Sequence, residues 1–150
     1  RPPGLCRGRA GAGDHLLTPP PPLYRVREWP DLAALGVLRQ AAWGGSADGT
    51  WWGPVLERSL TWITAHDGDV LVGFVNVAWD GGVHAFLLDT TVHPDWQRRG
   101  IGVQLVQRAA AAARAHGGLE WLHVDFEPHL TDFYAACGFT PTPAGLLRLA

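Results

Sequence analysis

The hydrophobic positions change their spacing several times along the chain, and each change marks an expected element. Tyr24 to Glu28 alternates and is rich in β-prone residues, which predicts a first strand. Trp29-Pro30-Asp31 then offers a helix start, with Leu32, Leu35, Leu38 and Ala42 following at helical intervals. Val55 to Thr64 reads as a second helix, because Val55, Leu56, Ser59, Leu60 and Ile63 fall on one side of a helical period. Asp67-Gly68-Asp69 signals a turn into a strand over Val70 to Trp79. Asp80-Gly81-Gly82 is a hairpin-type turn into a second long strand, His84 to Val92.

Ile101 to Ala115 is the clearest helix, with an apolar stripe of Ile101, Leu105, Ala109 and Ala112 and a stop at Gly117-Gly118. Glu120 to Phe126 alternates like a strand, and Leu130 to Cys137 reads as a short helix closed by Gly138. Phe139 to Thr142 and Leu146 to Leu149 are expected to form a small terminal hairpin. Before all of this, residues 1–22 are rich in Gly, Arg and Pro, ending in Thr18-Pro19-Pro20-Pro21-Pro22. They read as an extended tail, with the domain boundary near Leu23.

At 150 residues there is room for one domain and not for two ordinary ones. A 47% hydrophobic content excludes wholesale disorder. The formal net charge of −2 leaves no basic surplus to suggest nucleic acid or an anionic membrane as partner. Cys6 and Cys137 are too few for a disulfide framework, which fits a reducing compartment. No apolar run approaches the roughly 18 residues of a membrane span, so a cytoplasmic protein is expected. The lack of methionine implies that the given sequence begins inside a longer reading frame or after processing.

The stretch from Val92 to Gly102, VHPDWQRRGIG, carries the most chemistry. It leads from a strand end through a polar turn into a helix whose first amides lack intrahelical partners, a ready anion site. Gly100 and Gly102 bear no side chain to keep an anion from the backbone, and Arg98 and Arg99 add charge. Taken alone, such a glycine pair equally permits tight helix–sheet packing. The spacing is neither a Walker A loop, since no Lys-Ser/Thr follows, nor a GxGxxG fingerprint, since position 105 is leucine.

This stretch resembles the acyl-CoA pyrophosphate loop of the GNAT (Gcn5-related N-acetyltransferase) superfamily, Gln/Arg-x-x-Gly-x-Gly/Ala, at Gln97, Gly100 and Gly102. Phe133-Tyr134-Ala135-Ala136-Cys137-Gly138-Phe139 resembles that family's FYxxxGF segment. The resemblance covers roughly Leu23 to Ala150. It implies an α/β (α+β) fold with a mixed, mostly antiparallel sheet of six to seven strands, flanked by about four helices and splayed between strands 4 and 5. It also implies acetyl-CoA as cosubstrate and direct transfer to an amine, with neither cysteine needed as nucleophile and no metal.

Carried over residue by residue, Thr91 and Val92 would bind the pantetheine arm through main chain, and a backbone N–H near Thr90 would polarise the thioester. Amides from Arg98 through Arg99, Gly100 and Ile101 to Gly102, with Gln97, would hold the pyrophosphate. Tyr134 matches the family's proton donor to the departing thiolate. Glu127 stands where many members carry asparagine, a departure that bears on the local cofactor contact.

Asp89 is the leading candidate for the base and for attracting a cationic acceptor, ahead of His84, Asp125 and Glu28. Trp43, Trp51, Trp52 and Trp62 concentrate where relatives wall the acceptor site. Trp51, Trp52 and Asp125 are the expected substrate contacts, the tryptophans by cation–π interaction or by plain packing. His123, Asp125, Glu127 and His129 alternate like metal ligands, but Pro128 interrupts the pattern. The function expected is acetylation of a primary amine on a small cationic molecule, with no nucleic acid or membrane partner and with a homodimer as one assembly. Acetylation of a protein N-terminus or lysine, and a non-catalytic acyl-CoA sensor, are the alternatives.

Overall fold

The computed structural model describes residues 20–150. The tail reading for residues 1–19, and Cys6 with it, lies outside the described residues. Five strands form one sheet in the order β1-β2-β3-β4-β5: β1 Leu23–Val26, β2 Ser59–Asp67, β3 Val70–Trp79, β4 His84–Val92 and β5 Trp121–Val124. Neighbours from β1 to β4 are antiparallel, while β5 runs parallel to β4. Four helices complete the fold: α1 Leu32–Trp43, α2 Trp52–Arg58, α3 Ile101–His116 and α4 Thr131–Ala136.

Each face of the sheet has its own core. On one face Ile63, Val75, Val77, Ala85 and Leu87 pack against Ile101, Leu105, Val106 and Ala109 of α3. Ala113 is the last buried position of that helix stripe, with Ala112 only partly covered. On the other face Leu35 and Leu38 of α1 and Trp52 and Leu56 of α2 enclose Trp62, Leu71 and Phe74. The Asp31 carboxylate caps α1 by accepting from the amides of Ala33 at 2.9 Å and Ala34 at 3.2 Å, as the Trp-Pro-Asp start predicts.

Two expectations are corrected. The helix expected over Val55 to Thr64 stops at Arg58, and Ser59 onward is the central strand β2. β2 is buried from Ser59 to Ala65, with Ile63 on the α3 side and Trp62 on the α1 side. A strand covered on both faces loses its polar alternation, and its apolar run mimics a helical stripe. The terminal hairpin is absent, so the sheet has five strands and not six or seven. Residues 139–150 carry no regular structure. Pro141 and Pro143 remove two amide donors there, and Leu146, Leu147 and Leu149 are exposed.

Among the described residues no helix is long and apolar enough to cross a membrane. The loop between α1 and α2 ties itself down through Asp48 N to Ser46 Oγ and Thr50 N to Asp48 Oδ1, both 3.0 Å. It lies directly on α1. A Cβ on Gly49 would overlap the Leu32 carbonyl, and one on Gly36 would overlap the Ala47 carbonyl. Backbone cannot yield as a side-chain tip can. Gly49→Ala should therefore cost about 1–3 kcal/mol of stability, whereas Gly145→Ala, which meets nothing within 4 Å, should leave the thermal midpoint in place. Equal midpoints for the two variants would refute this packing.

Candidate active site

The site begins where two strands part. β4 and β5 pair from His84 with Trp121 to Leu87 with Val124, and there the pairing ends. β4 continues alone on that side as Leu88 to Val92. Within this free half, Phe74 pairs with Thr91 and Asn76 with Leu88, so Asp89 and Thr90 stand opposite the single residue Val75. That is a β-bulge, and Asp89 takes a left-handed backbone with φ 60°. Aspartate tolerates this region better than most side chains. Thr91 locks the bulge: its hydroxyl donates to the Asp89 carbonyl at 2.8 Å and accepts from Trp43 Nε1 of α1 at 3.2 Å.

The turn after β4 is equally braced. The His93 amide donates to the Val72 carbonyl at 2.8 Å. His93 Nδ1 accepts from the Asp95 amide at 3.1 Å, capping a short 3-10 turn over Pro94–Trp96. Trp96 Nε1 donates to Asp67 at 3.0 Å, and Arg99 donates to the Asp95 carbonyl at 3.3 Å. Arg98 and Gly100 then adopt left-handed backbones, with φ 63° and 78°. Gly100 is the residue before α3, and no side chain caps the helix. Gln97, Arg98, Arg99 and Gly100 are exposed, while Ile101 is buried in the core. The first amides of α3 therefore open to solvent beside the free half of β4.

α4 closes the side near α3, with Phe133 against Gly102. Tyr134 is 6% exposed, its ring stacked on Phe126 at 4.8 Å and met edge-on by Phe133 and Phe139. Burial raises its hydroxyl above the usual tyrosine range, with the nearby Thr90 side chain acting the other way. Tyr134 therefore lies close to the β4 bulge. Burial also raises the Cys137 thiol, so it is held away from the thiolate form.

On the α1–α2 side, Asp89 remains open to solvent at its edge yet is crowded by protein. This partial desolvation raises its carboxyl, with the charge of Arg39 pulling the other way. Trp51 is half exposed and tilted over Trp52 at 4.1 Å. Trp52 itself is in the core, 2% exposed, with its Nε1 lacking a partner. Trp62 is also core, donating to the Glu28 carbonyl at 2.8 Å. Of the tryptophans weighed as acceptor contacts, only Trp43 and Trp51 offer a surface.

Asp125 is exposed just past the end of β5, on the opposite lip of the parting strands. His84 and Glu28 are engaged elsewhere, His84 Nδ1 with His123 Nε2 at 2.7 Å and the Glu28 carboxylate with Arg25 at 3.5 Å. β5 ends at Val124, which breaks the alternating run of His123, Asp125, Glu127 and His129. Among the described residues no three His, Cys, Asp or Glu side chains are grouped to hold a metal ion. Sequence reasoning missed Arg39, half-buried beside the Leu35–Leu38 stripe, and Asn76, whose buried Oδ1 has no partner on β3. Nothing in the spacing of α1 ties Arg39 to Asp89, since only the packing of α1 over β4 brings them near.

A parallel strand pair that opens beside a helix start offers free strand backbone and free helix amides to one elongated anionic ligand. A family model described as the Acetyltransferase (GNAT) family matches residues 23–139. The uncharacterized N-acetyltransferase ycf52 of Pyropia yezoensis is 30% identical over 76 residues, which is 51% of this chain and 43% of the relative. The match thus spans less than half the length of that curated relative. A GNAT family acetyltransferase of Streptococcus pneumoniae TIGR4 is similar with TM-score 0.71 at 25% identity, covering 86% of this chain and 99% of that one. The aminoglycoside N-acetyltransferase AAC(6')-Iy, solved in complex with CoA, has TM-score 0.66 at 22% identity, covering 89% and 98%. The chain belongs to the GNAT acetyltransferase family.

The raised Asp89 carboxyl has a signed consequence for stability. A carboxyl whose folded value lies above its unfolded value destabilises the fold once ionised, and this cost disappears below the unfolded value of about 3.9. Asn accepts the left-handed backbone as readily as Asp. Asp89→Asn should therefore melt above the parent near neutral pH, with the gap narrowing as pH falls toward about 4. Thermal scans across pH would contradict this if the gap stayed constant or widened on acidification.

Proposed function

We propose that this chain is an acetyl-CoA-dependent N-acetyltransferase acting on a primary amine of a small cationic molecule. The reading is carried by one juxtaposition: the open half of β4, with its Asp89–Thr90 bulge and the Tyr134 hydroxyl, lies beside the free amides that begin α3. Family membership supports the acyl donor, and the CoA complex of the aminoglycoside N-acetyltransferase supports coenzyme A as its carrier.

The residues present fit such a group. Gly100 meets nothing within 4 Å of where a Cβ would stand, so an anion can come up to the backbone there. Each negative charge at a helix start gains roughly 0.3–1 kcal/mol, up to about 2 when partly buried. Gln97, Arg98, Arg99, Gly100, Ile101 and Gly102 would hold the diphosphate, while Thr91 and Val92 would pair with the pantetheine arm by main chain. Acetyl-CoA, when bound, supplies the activated acyl group as a thioester.

The remaining chemistry falls to this chain's own groups. The Thr90 amide, freed from the regular ladder by the bulge, donates toward the carbonyl oxygen. Asp89 attracts the ammonium form of the acceptor and takes its proton, a task that its raised carboxyl suits better than an ordinary one. The nitrogen–carbon bond would form as the carbon–sulfur bond breaks, Tyr134 giving a proton to the departing sulfur and regaining one through solvent as the amide nitrogen sheds its second proton. Trp51 walls the acceptor side and Asp125 flanks the opening.

Tyr134→Phe should lower turnover by about 10²-fold or more while the KM for acetyl-CoA changes little. Release of free thiol over an amine panel measures both, and unchanged turnover would remove Tyr134 from the mechanism. In a second experiment, calorimetry should find CoA binding abolished in Gly100→Glu and kept in Gly100→Asn, because asparagine accepts a positive φ without placing a charge. Undiminished affinity in the glutamate variant would count against the loop assignment.

A further inference from the structure

The acceptor side of the bulge contains a cation with no ion-pair partner among the described residues. Arg39 lies one helical turn before Trp43 on α1, and Trp43 reaches Thr91, two residues beyond Asp89. α1 therefore brings the Arg39 side chain over the same bulge that displays Asp89. The guanidinium carbon stands 5.8 Å from the Trp51 ring centroid, which leaves its donor edge free. Among the described residues, the ion pairs within 4.0 Å are Arg25–Glu28 and His93–Asp95. Arg39 and Asp89 thus lie on the same side of the bulge, near enough for Arg39 to act on the Asp89 carboxyl but without an ion pair between them.

An acceptor with ammonium groups alone would satisfy Asp89 and bring its other charges against Arg39. A zwitterion satisfies both ends. The planar guanidinium offers paired donors that match the oxygens of a carboxylate or a phosphate, and its charge is permanent. We propose that the acceptor carries an anionic oxygen group beside its reactive amine, held by Arg39 while Asp89 receives the amine. Arg39 is then the residue that selects the acceptor. This rests on the acetyltransferase reading above and narrows its cationic substrate to one bearing both signs.

The test is thiol release from acetyl-CoA by the whole chain with paired acceptors: α-, β- and γ-amino acids against their amides, O-phosphoethanolamine against ethanolamine, and spermidine as a polycation. At least one anionic member should exceed its neutral partner about 10- to 100-fold in kcat/KM. The carboxylate and phosphate arms identify which oxygen group is used. Arg39→Gln should raise the KM of the preferred acceptor by a similar factor with kcat nearly kept. The neutral partner should lose far less than the anionic one, and Arg39→Lys should recover part of the loss.

If Arg39 served only to tune Asp89, Arg39→Gln would weaken anionic and neutral acceptors equally and move the pH profile of both, which overturns the proposal. Amides or spermidine matching the anionic acceptors would overturn it too, while leaving the acetyltransferase reading intact. Absence of thiol release with every amine would sink both together.

Discussion

The parting of β4 from β5 is the constraint on which everything else rests. Pairing with β5 stops at Leu87, where β5 ends at Val124, and just beyond it a bulge inserts an extra residue into β4 at Asp89–Thr90. An unpaired strand half in mid-sheet is normally a liability, since its amides and carbonyls demand partners. Here three contacts hold it in place. Thr91 is tied to Trp43 and to the Asp89 carbonyl, Val92 packs on the α3 core, and His93 is fastened to Val72. Backbone groups are left facing the opening without the strand losing its position.

Both cores act on that opening from opposite sides. The α3 core sets the height of the helix start, because Ile101, its first residue, is buried against the sheet while Gly100 before it is fully exposed. The α1–α2 core sets the proposed acceptor wall, because Trp52 is buried against Phe74 and Trp51 lies over it. The glycine contacts between Gly36, Gly49 and the facing carbonyls bring the intervening loop down so that Trp51 reaches this place. The proposed donor edge and the proposed acceptor wall are therefore built by different helices and meet across β4.

Much of this was legible in the sequence, where local pattern and tertiary environment agree. α1, α3, β3 and β4 lie between clear caps and turns, and the Gln97-Arg98-Arg99-Gly100 turn stands out because glycines there leave the first amides of a helix open to an anion. β2 was misread because burial on both faces erased its alternation, although Thr61-Trp62-Ile63-Thr64 is β-branched and aromatic. The terminal hairpin was over-read from a few leucines that the structure leaves uncovered. Trp51 and Trp52 are adjacent in sequence and opposite in role, since a tryptophan's exposure depends on what packs over it. Arg39 was invisible for the same reason: its meaning comes from a strand about fifty positions away.

One physical effect, desolvation, acts on both ends of the proposed reaction. Crowding around Asp89 brings a carboxyl that would otherwise be a weak base nearer to neutrality, where it accepts a proton more readily. Burial around Tyr134 carries a phenol further from neutrality, where it remains a donor at any ordinary pH. The two groups are separated by the bulge itself, with Asp89 on the α1 side and Tyr134 near Thr90 from α4. No strong base or special acid is needed. A strand that swells by one residue between two cores supplies a proton acceptor on one side and a proton donor on the other, each shifted by the packing that also holds the strand open.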